Sequence, residues 1–149
     1  ALLMTTCRAF MRPLFAQARV FEDSLPLLSH ARARGMGVII VSNTTWGSPA
    51  SLWRELLERI GLSACIDASV FCRDVGRRKP DPMVYAHAME VAGTPPERCL
   101  FVGDNPVWDV EGPQRMGIRS VLLDRRAEWI GQGYERTTSL LEIRDLYLS

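Results

Sequence analysis

The chain has 149 residues, of which 47% are hydrophobic, and a formal net charge of +1. That length and apolar content suffice for one compact domain with a buried core. The near-balanced charge argues against a nucleic-acid or membrane-surface partner, and the apolar runs are too short for a membrane span or a secretory signal. Four cysteines without a C-x-x-C pair and only two histidines disfavour a zinc site and are typical of a cytoplasmic protein.

The first half of the chain predicts an alternation of helices and strands. Helices are expected at residues 1–20, 24–34 and 49–60, and strands at residues 37–41 and 65–71. Pro13 should end or kink the first helix, and Gly35 should stop the second. The first strand is an apolar, β-branched run typical of a strand covered on both faces, whereas Asp67 interrupts the second strand.

The second half continues this alternation. Asp81 is a favourable N-cap and Pro82 a favourable first residue, so a helix should run from Pro82 to about Ala92. Ser139 and Glu142 have the spacing of a capping box and should open the last helix. Between them the sequence predicts a strand at 99–102, a helix ending near 117 and a strand at 120–123. This rhythm predicts an α/β fold: a Rossmann-like parallel sheet with helices on both faces, which binds ligands beyond the carboxyl ends of its strands.

Two carboxylates follow the third predicted strand. Asp104 comes almost directly after the strand, and Asp109 lies in the turn that follows. A carboxylate at a strand end can ligate Mg²⁺, which prefers oxygen ligands and keeps several waters, and a second carboxylate nearby can reach the same ion or one of its waters. The alternative is that Asp104 or Asn105 simply caps the next helix.

A cationic residue and a polar turn are expected at the same edge of the sheet. Lys79 is the only lysine of the chain and precedes Pro80, so its backbone is biased toward an extended conformation that directs the ammonium across the strand ends. There it would offset the charge of a phosphoryl group. Ser42 and Asn43 follow the first strand and could form an anion cradle. The alternatives are a solvated lysine and a turn that serine and asparagine satisfy locally.

The order and spacing of these motifs across residues 20–124 resemble the haloacid dehalogenase-type (HAD) hydrolase superfamily, in the branch with a helical cap inserted after the first strand. The resemblance implies that Ser42 and Lys79 are catalytic, with Ser42 bonding a phosphoryl oxygen and Lys79 stabilising the phosphoryl group and the nucleophile. With Asn43, they are the predicted phosphate-binding residues. Asp104 and Asp109 would be the Mg²⁺ ligands.

The activity implied by this resemblance is Mg²⁺-dependent hydrolysis of a small phosphorylated metabolite through an aspartyl-phosphate. The sequence leaves three alternatives: a metal-free haloacid dehalogenase-like hydrolase, a phosphomutase, and a catalytically silent HAD-like binding module. A flavodoxin-like nucleotide binder is disfavoured because the chain has no Gly-rich phosphate loop. No feature specifies the oligomeric state.

The family nucleophile, the first Asp of a D-x-D motif, has no counterpart in the sequence, and Asp23 is not assigned to that role. The resemblance implies that residues 1–20 are a remnant of the helical cap. Residues 21–149 would then be an incomplete core that lacks the first, central strand and most of the cap. We therefore expect a fragment with two unpaired inner strand edges and no hydrolase turnover of its own.

The motif around Asp109 departs from the family pattern at two positions. Trp108 stands where asparagine is often found, and Pro113 follows Gly112 where alanine is usual. Because proline removes one helical hydrogen bond, the helix should either begin near Gly112 or be kinked there.

Overall fold

The strands lie in two parallel sheets, and helices connect them. The computed structural model describes residues 2–148. In chain order the elements are α1 (Leu2–Gln17), α2 (Ser24–Ala33), β1 (Ile39–Ser42), α3 (Ala50–Arg59), β2 (Ala68–Phe71), α4 (Cys72–Val75), α5 (Pro82–Ala92), β3 (Leu100–Gly103), a π-helix (Pro106–Glu111), α6 (Gly112–Gln114), β4 (Arg119–Leu123), β5 (Arg136–Thr137) and α7 (Leu140–Tyr147). Short 3₁₀ turns lie at Thr45–Gly47, Ser63–Cys65 and Pro96–Arg98.

The sheet topology confirms the predicted parallel α/β architecture. Strand β1 pairs with β2, with Ile39 opposite Ala68. Strands β3, β4 and β5 form the second sheet in that order, with Leu100 opposite Arg119. Within residues 2–148, no strand ladder joins β1 to β3. The resemblance described above implies a central strand at this position, between β1 and β3, that the given sequence lacks.

Strand β4 is more deeply buried than β1 and β3, the two strands that border the gap between the sheets. Val121 and Leu122 of β4 are fully buried, since β4 has a partner on each side. All four residues of β1 and all four of β3 are only half-buried, although their apolar sequences are typical of strands covered on both faces. Helix α5 packs against β1 and β2, and α2 packs against α7. The core is therefore complete around β4 and open along β1 and β3.

Both residues that were predicted to cap helices form the expected hydrogen bonds. The Asp81 carboxylate accepts a hydrogen bond from Met83 N at 3.0 Å, and α5 begins at Pro82 and ends at Ala92. The Ser139 hydroxyl caps α7 by accepting from Leu141 N at 3.0 Å. Glu142 departs from the predicted capping box, because its carboxylate bonds the hydroxyl of Thr138 at 2.7 Å and the amide of the same residue.

Helix α1 does not end at Pro13, which was the first of the two predicted effects of that proline. The helix continues to Gln17, and contacts with α3 hold its last turn. The Phe15 ring packs edge-on against Trp53 with centroids 5.2 Å apart, and the Arg59 guanidinium donates to the Phe15 carbonyl. These contacts offset the hydrogen bond that proline removes. None of the helices in the described part of the chain combines the length and apolar character needed to cross a membrane.

Strand β1 begins two residues later than predicted, at Ile39, and strand β2 is three residues shorter than predicted. Strand β2 begins only at Ala68, because the Asp67 carboxylate before it accepts hydrogen bonds from Val38 N at 2.7 Å and from Arg32 at 3.1 Å. The two-residue strand β5 was not predicted, since so short a strand carries no periodic signal. Residues 136–137 extend the sheet beside the end of β4.

Candidate active site

A buried ion pair lies at the carboxyl ends of the strands. The Lys79 ammonium is 2.6 Å from Asp109 Oδ1 and donates to the Val41 carbonyl at 3.0 Å. Lys79 is 8% exposed and Asp109 is 4% exposed. The ammonium also lies 5.4 Å from the centroid of the Phe101 ring. Two of its three N–H donors are thus engaged, which leaves one for a ligand.

The side chain of Asn43 holds the backbone of Lys79. Its Oδ1 accepts from Lys79 N at 2.9 Å, and its Nδ2 donates to Lys79 O at 3.2 Å. This pair of hydrogen bonds joins the exit of β1 to the loop that carries the lysine. The amide of Asn43 therefore positions Lys79 in this structure, and its predicted contact with phosphate stays a prediction.

Ser42 presents a weakly engaged hydroxyl at the end of β1. Its Oγ makes a single long contact, 3.4 Å, with the Asn43 carbonyl, and the residue is half-buried. A hydroxyl with so little internal bonding remains available to a ligand, as the predicted role requires.

The turn after Asn43 is fixed by contacts that sequence reasoning missed. Thr44 is fully buried, and its N–H and hydroxyl lie 3.1 and 3.3 Å from Cys72 Sγ. Arg78 donates to the Thr44 carbonyl at 2.7 Å, although the sequence suggested only a surface charge there. These contacts join residues far apart in the chain, so no local pattern could have revealed them.

The carboxylate of Asp109 is held on both of its oxygens. Oδ1 binds Lys79, and Oδ2 accepts from Asn105 N at 3.0 Å. Asn105 also caps the following turn, because its Oδ1 accepts from Trp108 N at 2.9 Å. Gly103 makes this packing possible: a Cβ there would lie 2.5 Å from Asp109 Oδ2 and collide with the side chain.

Asp104 lies beside this arrangement in a different environment. It is exposed, and its carboxylate accepts no hydrogen bond from any other described residue. Its negative charge is close enough to Arg125 to contribute to the raised pKa of that guanidinium, whose main partner is Asp23. Asp104 is therefore the open carboxylate of this loop, and Asp109 is the enclosed one.

These side chains could supply only some of the ligands that Mg²⁺ needs. Among residues 2–148, no group of three or more histidine, cysteine or acidic side chains is arranged to hold a metal ion. Mg²⁺ at phosphate sites, however, is commonly bound through one or two carboxylates, with substrate oxygens and water as the other ligands. Asp104 has the free oxygens for such a contact, whereas both oxygens of Asp109 are already bonded, so Asp109 would reach the ion through one of its waters. The predicted ligand pair is compatible with that mode of binding.

Asp109 is carried by the π-helix, and a buried tyrosine contacts that helix. Tyr85 is fully buried, and its hydroxyl donates to the Trp108 carbonyl at 2.7 Å. Burial, followed by the negative charge of Asp109, raises the pKa of Tyr85 well above its ordinary value of 10.0. The hydroxyl therefore keeps its proton and acts as a donor. The α-helix that follows begins at Gly112 with Pro113 in its first turn, the first of the two predicted arrangements.

The carboxylate of Asp23 joins three elements of the fold through its hydrogen bonds. Its carboxylate is bound by both terminal nitrogens of Arg125 at 2.8 Å and by Leu140 N at 2.9 Å. The hydrogen bonds from Arg125 are the main reason that the pKa of Asp23 lies below its ordinary value. These contacts tie the start of α2 to the end of β4 and to α7.

Most of the chain is similar to proteins of one known family. The family of haloacid dehalogenase-like hydrolases matches residues 7–117. A phosphoserine phosphatase of Thermus thermophilus is 36% identical over 113 residues, which are 76% of this chain and 41% of that protein. A phosphatase of Mycobacterium tuberculosis is 34% identical over 113 residues, 76% of this chain and 50% of that protein. The crystal structure of an HAD phosphatase from Thermococcus onnurineus has a TM-score of 0.81 at 25% identity and covers 93% of this chain and 62% of its own. The chain thus spans half or less of the length of these curated relatives.

Proposed function

The chain belongs to the haloacid dehalogenase-like hydrolase family, and from that premise we propose that the intact protein is a Mg²⁺-dependent phosphatase acting on small phosphate monoesters. The buried Lys79–Asp109 pair, next to the open hydroxyl of Ser42 and the exposed carboxylate of Asp104, carries the proposal. The two curated relatives described above are named as phosphatases, which supports this choice within the family.

The described residues would bind and orient the phosphoryl group. Lys79 has one N–H donor beyond those bonded to Val41 and Asp109, and that donor is available to a phosphoryl oxygen. The hydroxyl of Ser42 supplies a second donor. The lysine is held before substrate arrives, so it stabilises charge that develops on the oxygens without reorganising. Asp109 and Asn43 keep the lysine in place.

Mg²⁺, when bound, would neutralise charge on the phosphoryl oxygens, with Asp104 as its exposed ligand and Asp109 beside it. The attacking group in our proposal is an aspartate that forms an aspartyl-phosphate. We place it on a strand between β1 and β3, outside the sequence given. The unpaired inner edges of these strands, their incomplete burial and the absence of a D-x-D motif in the chain support this placement.

A metal-free dehalogenase of the same family is the second candidate. Such an enzyme has less need of a second acidic residue beside Asp109, and the exposed carboxylate of Asp104 therefore favours the phosphatase. A catalytically silent binding module would have no reason to keep an ammonium buried and paired at the strand ends, since burying charges is costly.

The test is turnover of an aryl phosphate by the intact protein, with and without Mg²⁺. We expect Mg²⁺-dependent hydrolysis that Lys79→Ala and Asp104→Asn each reduce by about 10²–10³-fold, the usual effect of removing a preorganised charge contact. Asp145→Asn is the matched control, because Asp145 is an exposed acid paired with Arg144 on α7. Residues 1–149 alone should show no turnover. Near wild-type kcat in Lys79→Ala, or metal-independent release of halide from a 2-haloacid, would refute the proposal.

A further inference from the structure

The Trp108 carbonyl has no backbone donor in the helix that contains it. Gly112 N–H would be its partner in an α-helix, but that N–H donates to the Val107 carbonyl, as π-helical spacing requires. The next amide along the chain belongs to Pro113, and proline carries no N–H. This carbonyl is part-buried, and leaving such a group without a donor costs about as much as a lost hydrogen bond. The turn that carries Asp109 therefore depends on a donor from another element.

We propose that the hydroxyl of Tyr85 replaces the amide hydrogen that Pro113 lacks, and that Tyr85 is thereby a positioning residue for Asp109. The hydroxyl lies 2.7 Å from the Trp108 carbonyl oxygen. The ring is fully buried and packs edge-on against Phe101 with centroids 5.8 Å apart. The tyrosine is part of α5, so the donor comes from a different helix.

Gly112 is the third part of this arrangement. A Cβ at Gly112 would lie 2.7 Å from Cζ of Tyr85 and closer still to its hydroxyl. Only glycine lets the phenol approach the turn closely enough to reach the Trp108 carbonyl. Gly112 and Pro113 are therefore matched to Tyr85: one makes room for the hydroxyl, and the other leaves it an acceptor.

The Tyr85 hydrogen bond affects the active site through the peptide unit that joins Trp108 to Asp109. Trp108 immediately precedes Asp109, whose carboxylate binds the Lys79 ammonium at 2.6 Å and Asn105 N at 3.0 Å. Holding the Trp108 carbonyl fixes the direction in which the Asp109 side chain leaves the backbone. Tyr85 acts through Asp109, and only the kinetic part of this inference rests on the proposed phosphatase function.

The Lys79 side chain allows a test that does not depend on activity. Lys79 is the only lysine among residues 1–149, so in intact protein labelled with ¹³C- and ¹⁵N-lysine its side-chain NMR signal is assigned as the one that Lys79→Arg removes. Tyr85→Phe keeps the ring and removes the donor, so we expect the Lys79 signal to shift and its Nζ protons to exchange faster with water. Adding Pro113→Ala restores an N–H beside the Trp108 carbonyl and should return the signal toward that of the wild type. Tyr147→Phe is the control, because Tyr147 lies on α7 and its hydroxyl is hydrogen-bonded with Glu135, so this change should leave the Lys79 signal unchanged.

The kinetic test uses the same variants of the intact enzyme. We expect Tyr85→Phe to lower kcat about tenfold with little change in KM, the rate equivalent of one lost hydrogen bond, and Tyr85→Phe/Pro113→Ala to recover most of it. A pure packing role for Tyr85 would survive the change to Phe and would not respond to residue 113. An unchanged Lys79 signal in Tyr85→Phe, or no recovery in the double variant, overturns the inference.

The experiments distinguish failure of the proposed phosphatase function from failure of the proposed role of Tyr85. If the intact protein turns over no phosphate ester, the proposed function fails, and the Lys79 signal still decides the role of Tyr85. If Tyr85→Phe does not fold, the double variant should fold because its carbonyl has a donor again. A double variant that also fails to fold contradicts the inference.

Discussion

Breaking the buried Lys79–Asp109 pair should destabilise the fold far more than breaking a surface pair. Both side chains are less than a tenth exposed and 2.6 Å apart. Lys79→Met leaves the Asp109 carboxylate buried with only Asn105 N as a strong donor, and Asp109→Asn leaves the buried ammonium with neutral acceptors only. Removing one partner of such a pair typically costs about 3–5 kcal/mol. The double variant Lys79→Met/Asp109→Asn leaves no unpaired charge, so it should cost clearly less than the two single changes together.

The assay is a double-mutant cycle by urea unfolding, followed by circular dichroism. We expect a coupling free energy of about 2–3 kcal/mol, the upper part of the range of about 0.5–3 kcal/mol found for residues in direct contact. The matched control is the exposed pair Arg119–Glu135, whose nitrogen and oxygen are 2.7 Å apart but whose side chains are 61% and 41% exposed. Its cycle should give about 0–1 kcal/mol. Equal coupling in the two cycles would refute the conclusion that burial makes the Lys79–Asp109 pair critical.

Three further changes probe the surroundings of that pair. Asn43→Ala removes two hydrogen bonds from the backbone of the buried lysine and should cost about 1–3 kcal/mol in urea unfolding, with a fall in kcat of the intact enzyme; unaltered stability would contradict the positioning role. Gly103→Ala should cost about 1–3 kcal/mol because its Cβ collides with the buried aspartate, whereas Gly37→Ala, with no atom closer than 3.9 Å, should be tolerated. The pKa of Asp23 is lowered in the folded state, so its contribution to stability is present above the ordinary aspartate pKa of 3.8 and is lost as pH falls through the lower, folded value. Asp23→Asn should therefore flatten the acid limb of unfolding free energy against pH; a limb of unchanged slope would show that another group causes it.

Local signals in the sequence were enough to predict the architecture. The apolar run before Ser42 and the run before Gly103 both become parallel strands, because each is short, apolar and bounded by turn residues. Asp81 and Ser139 cap helices as predicted, since capping depends on residues within one turn of each other. Parallel strand order then places the residues that follow the strands at one edge of the sheet.

The contacts within the site depend on residues that are distant in sequence. The bond between Asn43 and the Lys79 backbone spans 36 positions, so Asn43 looked like a local turn residue or an anion ligand. The π-helix was not predicted either, because its unusual spacing depends on the Tyr85 hydroxyl as well as on Pro113. The unusual proline was visible in the sequence, but the donor that makes it tolerable lies on another helix.

The charges at the strand ends bear on how an anion could bind there. The Lys79 ammonium is already neutralised by Asp109, and Asp104 adds a negative charge on the same loop as Asp109. Arg125 interacts with the charge of Asp104 but is already bound on two nitrogens by Asp23, and Arg78 is bonded to the Thr44 carbonyl. These three cations and the three carboxylates cancel, so the side chains offer a phosphate dianion no net positive charge. A divalent cation at Asp104 would supply that charge, whereas a haloacid, with its single carboxylate charge, would need less of it. The charge balance of these side chains is therefore in keeping with the proposed metal-dependent phosphatase.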